Sequence, residues 1–228
     1  MKNINKWGGA SAFYMALSYV INMLLFLVVL DYPSITDAAQ KINLIVNQQN
    51  VLFLSNLVGY ILFGVTLVVF LLALEFRMKI KASWVLKAGL IFGFIWAGSL
   101  IADGMIANAG MTTALTLNEQ DPQQAALYWS AVETVANGLG NANGEILGGL
   151  MTLLISLAAW RSGQLSKAVN IIGVVVGLAG LISLVPALNS LTSLFGIGQI
   201  VWFVWVGIML LRSPKSNEQE YSNESHSM

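Results

Sequence analysis

Long apolar stretches alternate with short polar segments along most of the chain. A helix needs about 20 mostly apolar residues to cross a bilayer, because it rises about 1.5 Å per residue. The hydropathy pattern predicts such spans at about 7–30, 51–74, 84–106, 130–160, 168–185 and 191–211. It therefore predicts an all-α fold, a polytopic membrane protein built as a bundle of six transmembrane helices.

The polar segments between the spans are predicted to be loops, and one of them contains a helix start. Residues 31–50 carry a proline and are predicted to form a loop with a short amphipathic turn. Residues 112–126 are predicted to form a polar external loop. Within it, Asp121 followed by Pro122 is typical of a helix N-terminus, with a capping carboxylate before a proline at the first helical position. A helix starting there is predicted to run to Trp160.

Positive charges give the predicted bundle an orientation. Six spans place both termini on one side, and Lys41 is alone in falling on the other. The basic residues on the first side are Lys2, Lys6, Arg77, Lys79, Lys81, Lys87, Arg161, Lys167, Arg212 and Lys215. Cytoplasmic loops carry an excess of lysine and arginine, so that side is predicted to be cytoplasmic, in an inner (plasma) membrane. Residues 1–212 form the predicted membrane domain, and residues 213–228 a disordered cytoplasmic tail.

Composition narrows the functional classes. Hydrophobic residues make up 57% of the 228 residues and charged residues only 10%, so the lipid bilayer is the predicted partner. The formal net charge of zero argues against nucleic acid as a partner. The chain has no cysteine, and its one histidine, His226, lies in the polar tail. No cofactor is predicted, and an enzyme would have to act through carboxylates alone.

A polar stripe interrupts the apolar pattern of the predicted fourth span. On a helix, Glu133, Asn137, Asn141 and Glu145 recur every fourth residue and share one face. The adjoining face carries a row of glycines at the same spacing: Gly140, Gly144 and Gly148. Rows of small residues let membrane helices approach closely, and polar groups in hydrocarbon need partners. This span is therefore predicted to face protein.

Glu145 is the strongest candidate for a functional residue. No lysine or arginine is predicted at its depth, so a proton, a bound cation or hydrogen bonds from Asn141, Asn56 or Tyr60 must satisfy its carboxylate. One interpretation is a site that responds to protons or cations. The other is a protonated glutamic acid that joins neighbouring helices and has no further role.

Two further carboxylates are predicted near the outer end of the bundle. Asp103 lies near the end of the third span, and Glu133 lies at a similar level on the fourth. Together they predict an acidic mouth that attracts cations, although solvated carboxylates at helix ends are the simpler interpretation. The asparagine side chains, Asn56 and Asn137 among them, can coordinate a cation or a polar solute, or can join helices.

The second and fourth spans share the pattern N-x-x-G-x-I-L-x-G. The spans that follow them share K-A-x-x-I-x-G. The pattern predicts a parallel duplication of helical hairpins, 51–106 and 131–185, although short matches of common membrane residues also arise by chance. Gly59 and Gly64 of the first copy are predicted packing positions, and Tyr60 occupies the place that Glu145 has in the second.

The short basic amino terminus, the six spans with a polar loop after the third, and the N-x-x-G and G-E-I-L-G-G segments carry a resemblance. They resemble a bacterial family of small multi-pass membrane proteins that is labelled a domain of unknown function. The resemblance covers about residues 7–212. It implies the six-helix architecture, and it assigns no role to any residue because the family has no known activity.

Two functional hypotheses follow from the residues. The first is a small transporter or channel-like protein with a carboxylate and amide site for a proton, a cation or a small polar solute. The second is a non-transporting membrane subunit or sensor, which packs against a membrane-protein partner or as a homo-oligomer through its glycine rows. No metal ligand set can be named from the sequence.

Overall fold

A computed structural model describes residues 2–78, 83–140 and 145–212, and within these ranges the chain is all-α, as predicted. Two π-helical turns, Leu25–Val29 and Leu57–Ile61, directly follow α-helices. The α-helices in chain order are α1 Lys2–Leu24, α2 Ala38–Asn56, α3 Leu62–Arg77, α4 Trp84–Asn118, α5 Pro122–Gly140, α6 Ile146–Ser162, α7 Lys167–Ile182 and α8 Leu191–Leu211. The predicted tail, 213–228, and the predicted site positions Asn141 and Gly144 lie outside the described residues.

Within the described residues, α1, α3, α4, α6, α7 and α8 pack side by side in a closed ring. Neighbouring helices in the ring run antiparallel. For example, Gly9 near the start of α1 lies against Leu211 at the end of α8. The basic residues at the helix ends therefore collect at one end of the ring, where the Arg77 guanidinium donates to the Arg212 carbonyl at 3.3 Å.

Aromatic side chains fill the centre of this ring. Phe203 lies in the middle of the ring of helices. The centroid of its aromatic side chain is 5.4 Å from that of Phe70, 5.5 Å from that of Trp202 and 6.0 Å from that of Phe63. Phe63 continues the chain of edge contacts to Trp96, at 5.7 Å. Edge-to-face aromatic pairs at these distances contribute beyond the apolar area that they bury. This first core holds the ring together.

A second apolar core lies beyond the other end of the ring. It is formed by the first half of α2, the last turns of α4 and the first turns of α5, and its buried members include Ile45, Met111, Ala125 and Trp129. These three helix segments pack against one another. We call this part of the molecule the outer cap.

The predicted loop 31–50 is wrong for most of its length, because α2 begins at Ala38. The Asp37 carboxylate caps the helix by accepting from the Gln40 backbone N–H at 2.9 Å. Ile42 and Ile45 then recur at helical spacing and are buried in the second core. A kink at Gln48, with φ −128° and ψ 24°, is the one departure from helical geometry within α2.

The predicted end of the third span at 106 is also wrong, since α4 continues to Asn118 and most of the predicted external loop is helical. The threonines that suggested a loop donate their hydroxyls back to the helix: Thr112 to the Asn108 carbonyl and Thr116 to the Thr112 carbonyl. Such bonds satisfy polar side chains without ending a helix. The predicted cap at Asp121 is confirmed, because its carboxylate accepts from the Gln123 and Gln124 N–H groups at 3.0 and 3.1 Å.

The predicted single helix over 130–160 is interrupted. Helix α5 ends at Gly140, Glu145 has non-helical dihedrals of φ −85° and ψ 59°, and α6 begins at Ile146. The segment from 137 to 144 contains three glycines and three asparagines. Both residue types have low helix propensity and favour turns, so the sequence here is a weak helix former.

Within the described residues, four helical stretches are long and apolar enough to cross a membrane: Asn3–Val29, Ala38–Arg77, Trp84–Asn118 and Leu191–Leu211. Helices α6 and α7 are apolar but shorter, at 17 and 16 residues. The structure is therefore that of a helical protein with four segments long and apolar enough to span a membrane. The longest of the stretches, at 40 and 35 residues, extend into the outer cap.

Two glycines at equivalent positions of the predicted repeat make equivalent contacts. A Cβ on Gly64 of α3 would lie 2.6 Å from the Ala97 carbonyl oxygen of α4. A Cβ on Gly149 of α6 would lie 2.9 Å from the Gly177 carbonyl oxygen of α7. Both approaches bring a backbone carbonyl closer than a methyl group permits, so the helices of each pair pack at a distance that only glycine allows.

We expect Gly64→Ala to lower the stability of the protein in detergent by about 1–3 kcal/mol, because the added methyl group forces α3 and α4 apart. The matched control is Gly98→Ala on α4, where a Cβ meets nothing within 4 Å. The control should be neutral or stabilising by up to about 1 kcal/mol, as helix propensity favours alanine. Thermal unfolding of both variants measures the difference, and equal effects would contradict the close-packing interpretation.

Candidate functional site

The two apolar cores are separated by a layer of polar residues, and a cavity of about 70 Å³ lies in this layer. We call it the outer cavity. Its polar lining comes from Asn56 on α2, Tyr60 in the π-helical turn, Asp103 on α4, and Glu133 and Asn137 on α5. All five of these residues were predicted site residues. The fold brings them together from three separate segments of the chain.

Asp103 is the most deeply buried carboxylate of the outer cavity, with 6% of its surface exposed. Its neighbour on α5 is Gly140, where a Cβ would overlap the Asp103 Oδ2 atom. Among the described residues no lysine or arginine forms an ion pair with Asp103, and no side chain or backbone N–H donates to its carboxylate. A buried carboxylate therefore lines a cavity without a protein counter-ion among those residues.

Amides lie close to this carboxylate. The Asn56 Nδ2 atom donates to Asn108 Oδ1 at 2.9 Å, which joins α2 to α4 one helical turn beyond Asp103. Asn137 lines the opposite wall of the outer cavity from α5. Amide oxygens are suitable ligands for a cation or for the donors of a polar solute.

Glu133 differs from Asp103 because it has a counter-ion. The Lys41 ammonium donates to both of its oxygens, at 2.7 and 2.6 Å, and the Tyr32 hydroxyl donates to Oε1 at 2.9 Å. The Trp129 Nε1–H group donates to the Tyr32 oxygen at 3.3 Å. Burial and the nearby Glu133 carboxylate raise the pKa of Tyr32, so its phenol remains a neutral donor. Of the two carboxylates of the predicted acidic mouth, Glu133 is thus neutralised by a lysine, and Asp103 is not, among the described residues.

A second cavity, of about 90 Å³, lies on the other side of Tyr60. We call it the inner cavity. Ser18, Tyr19 and Asn22 of α1 line it together with Trp96 of α4, and Tyr60 lines both cavities. A water molecule needs roughly 10–15 Å³ of such space, so each cavity has room for several waters or one small solute. Tyr60 is the residue that the described linings of the two cavities share.

The backbone that carries Tyr60 is π-helical. The Leu62 N–H group bonds to the Leu57 carbonyl, five residues earlier, and so does not serve Val58. Two hydroxyls of α1 bond to the Val58 carbonyl instead, Tyr14 at 2.9 Å and Ser18 at 3.0 Å. Single π-helical turns inside helices occur frequently at functional sites. Here the turn carries Tyr60, which lines both cavities, and is held by hydrogen bonds from a different helix.

Glu145 lies at the break between α5 and α6, outside the lining of the outer cavity. It is buried, its backbone N–H donates to Ser183 Oγ at 3.3 Å, and its carbonyl accepts from the Gly149 N–H at 2.8 Å. Glu133 and Asn137 are four residues apart and share a face of α5. Glu145 lies beyond the end of α5 and has non-helical dihedrals, so it does not continue their stripe.

The predicted packing glycines contact residues of this same chain. Gly140 lies against Asp103, Gly148 against Phe195 and Trp96, and Gly59 against Asn22. Gly140 and Gly148 belong to different helices, so the predicted row on one helix is wrong in the described residues. The glycines make room for close contacts within the bundle.

Sequence reasoning missed the polar face of α1. Tyr14, Ser18 and Asn22 follow one another at intervals of four in an otherwise apolar span, which is a helical stripe that could have been recognised. It also missed the pairing of Lys41 with Glu133, since the two residues are 92 positions apart and no local pattern relates them.

We expect removal of both α1 hydroxyls, in Tyr14→Phe/Ser18→Ala, to destabilise the protein by about 1–3 kcal/mol, the cost of leaving the Val58 carbonyl without a donor. Each single change should cost much less, because one donor remains. Thermal unfolding in detergent measures the non-additivity. Thr66→Val is the control, since its hydroxyl donates to carbonyls of its own helix. Additive single effects would contradict this role of the two hydroxyls.

Comparison of the chain with protein-family models, with curated proteins and with solved structures finds no match in any of the three. In the part of the chain that the structure describes, no group of three or more histidine, cysteine, aspartate or glutamate side chains is placed to hold a metal ion. The chemistry of the site must therefore be argued from its own geometry. That geometry is a buried carboxylate beside amides and a phenol, in a cavity shared between two apolar cores.

Proposed function

We propose that this protein is a small membrane transporter or channel-like protein that binds a proton, a cation or a small cationic solute in the outer cavity. The observation that carries the proposal is the Asp103 carboxylate, which is 6% exposed and has no counter-ion among the described residues. A charged aspartate within a membrane helix costs roughly 3 kcal/mol. A bound cation offsets that cost, and such a residue commonly marks an ion or substrate pathway.

The arrangement of the cavities supports movement of the bound species. The outer and inner cavities share Tyr60 as a lining residue, and the Asp103 carboxylate lines the outer one. A cation that leaves Asp103 towards the inner cavity would therefore have to pass Tyr60. Rotation of the Tyr60 side chain is the smallest motion that would join the two spaces.

We also propose that all six helices of the ring lie in the bilayer, with the basic end cytoplasmic. At 1.5 Å per residue, α6 and α7 are about 25 Å long, which is close to the roughly 30 Å of hydrocarbon. The outward faces of the ring are apolar, with exposed side chains such as Leu72, Ile95 and Val175. The matching contacts of Gly64 and Gly149 support the parallel duplication, and the sequence resemblance supports membership of the small multi-pass family.

The second hypothesis, a subunit that assembles through glycine rows, depended on glycines facing outwards. Gly140, Gly148, Gly59 and Gly64 all contact residues of their own chain. No such row is therefore exposed among the described residues to carry an interface.

The function can be tested by ion flux in proteoliposomes. Wild-type protein should pass at least one of H⁺, Na⁺, K⁺ or methylammonium under an imposed membrane potential. Asp103→Asn should reduce that flux at least about tenfold, because it removes the charge that stabilises the bound cation. Asp31→Asn is the matched control: its residue is exposed, and asparagine tolerates the positive φ of 44° at this position.

Thermal unfolding of Asp103→Asn shows whether the fold survives the substitution. A folded Asp103→Asn that conducts like the wild type would rule out Asp103 as the site. An absence of flux for all four ions in the wild type would contradict the transport proposal itself.

A further inference from the structure

We propose that the ligand of the outer cavity is a small organic ammonium ion paired with Asp103, and that Lys41 is a tethered ammonium that competes with it for the acidic and aromatic mouth of the cavity. This inference rests on the cation-binding function proposed above and narrows its ligand class. It makes Lys41 a residue that sets affinity for the ligand.

The charge balance of the site favours a monovalent cation. Two carboxylates line the outer cavity, Asp103 and Glu133, and one ammonium, that of Lys41, binds both oxygens of Glu133. Among the described residues this leaves one negative charge, at Asp103, without a counter-ion. One positive charge neutralises the site, whereas a divalent ion would leave an excess of positive charge in a low-dielectric layer.

The walls of the cavity favour an organic ion. Aromatic rings line much of it, from Phe26, Tyr32, Tyr60 and Trp129. An ammonium group is attracted to the face of such rings, while its alkyl substituents gain from apolar contact. A bare inorganic cation would need several oxygen ligands to replace its hydration shell. Apart from Asp103 and the Lys41-bound Glu133, the cavity offers it chiefly the neutral oxygens of Asn56, Asn137 and Tyr60.

Lys41 shows that the mouth accommodates an ammonium group. Its Nζ atom lies 2.6 Å from Glu133 Oε2 and 5.2 Å from the centroid of the Tyr32 ring, so it makes an ion pair and a cation–π contact together. Its side chain is 18% exposed, and that of Glu133 is 19% exposed. A partly exposed amine therefore binds Glu133 and Tyr32, two lining residues of the cavity, while Asp103 is more deeply buried.

The size of the cavity limits the ligand. Its volume of about 70 Å³ corresponds to roughly five to seven water-sized groups. Methylammonium and ethylammonium fit within this limit, and both present one charged head and a short apolar tail. They are the probes for the experiment.

The experiment measures stabilisation of the full chain in detergent by methylammonium, ethylammonium, sodium, potassium and magnesium chlorides at equal ionic strength. A ligand that binds the folded state raises the unfolding temperature in proportion to its occupancy, which gives an apparent Kd. The alkylammonium ions should bind at least about tenfold more tightly than Na⁺ or K⁺, as expected for cation–π and apolar contacts that an inorganic ion lacks. Asp103→Asn should weaken methylammonium binding at least tenfold, because it removes the counter-ion.

Variants of Lys41 test the competition. Lys41→Met frees Glu133 and takes the net charge of the site from −1 to −2, so methylammonium should bind about tenfold more tightly. Lys41→Met/Glu133→Gln restores a net charge of −1, and its affinity should return to within about threefold of the wild type. Lys87→Met, an exposed lysine at the opposite end of α4, is the control and should bind like the wild type.

The outcomes separate the two proposals. If Na⁺ and K⁺ bind as tightly as the alkylammonium ions and with the same dependence on Asp103, the ammonium inference is overturned while the cation function stands. If Lys41→Met leaves methylammonium affinity unchanged, the competing role of Lys41 is overturned. If no cation stabilises the wild type and no flux is found, both proposals fail. Should Asp103→Asn not fold, the Lys41 pair of variants still decides.

Discussion

Apolar packing on both sides of a polar layer is the interaction on which the rest of the structure depends. Asp103, Asn56 and Asn137 could not lie in either core without partners, and the helices that carry them cross from one core into the other. Apolar packing on both sides fixes these helices, and the polar side chains are left around a space that they do not fill. The cavity is therefore a consequence of packing on both of its sides, and Gly140 is required where α5 approaches Asp103 most closely.

Irregular backbone accompanies this layer at two places that correspond in the predicted repeat. The π-helical turn Leu57–Ile61 lies in the first copy, and the non-helical residue Glu145 lies in the second. Backbone that leaves the α-helical pattern at membrane depth is tolerated where protein or a cavity satisfies its polar groups. The Tyr14 and Ser18 hydroxyls do this for the turn, and the Ser183 hydroxyl accepts from the Glu145 N–H at the break.

The apolar pattern predicted an all-α chain because membrane-length helices can be recognised from local composition. The prediction of helix boundaries was wrong where the same local sequence is compatible with either a helix or a loop. Most of the polar residues of 31–50, and those of 112–118, resembled loops, but they belong to helices whose apolar faces meet in the outer cap. The span predicted over 130–160 is interrupted at Glu145, whose backbone is not helical. Five of the predicted site residues do line one cavity, since polar groups in apolar helices must converge. Their partners Lys41 and Tyr32 come from distant segments and could be found only from the fold.

The length of α4 places the cavities at very different distances from the basic end of the ring. With a rise of 1.5 Å per residue, Trp96 lies about 18 Å along the helix from Trp84, and Asp103 lies about 28 Å along it. The aromatic core fills the part nearer to the basic end, and the polar layer begins where it stops. The closely packed apolar part of the ring and the polar layer thus lie at different levels along α4. The closely packed aromatic part of the protein therefore lies between the level of Asp103 and the basic end of the ring, and any charge that moved between those two levels would meet its lowest dielectric there.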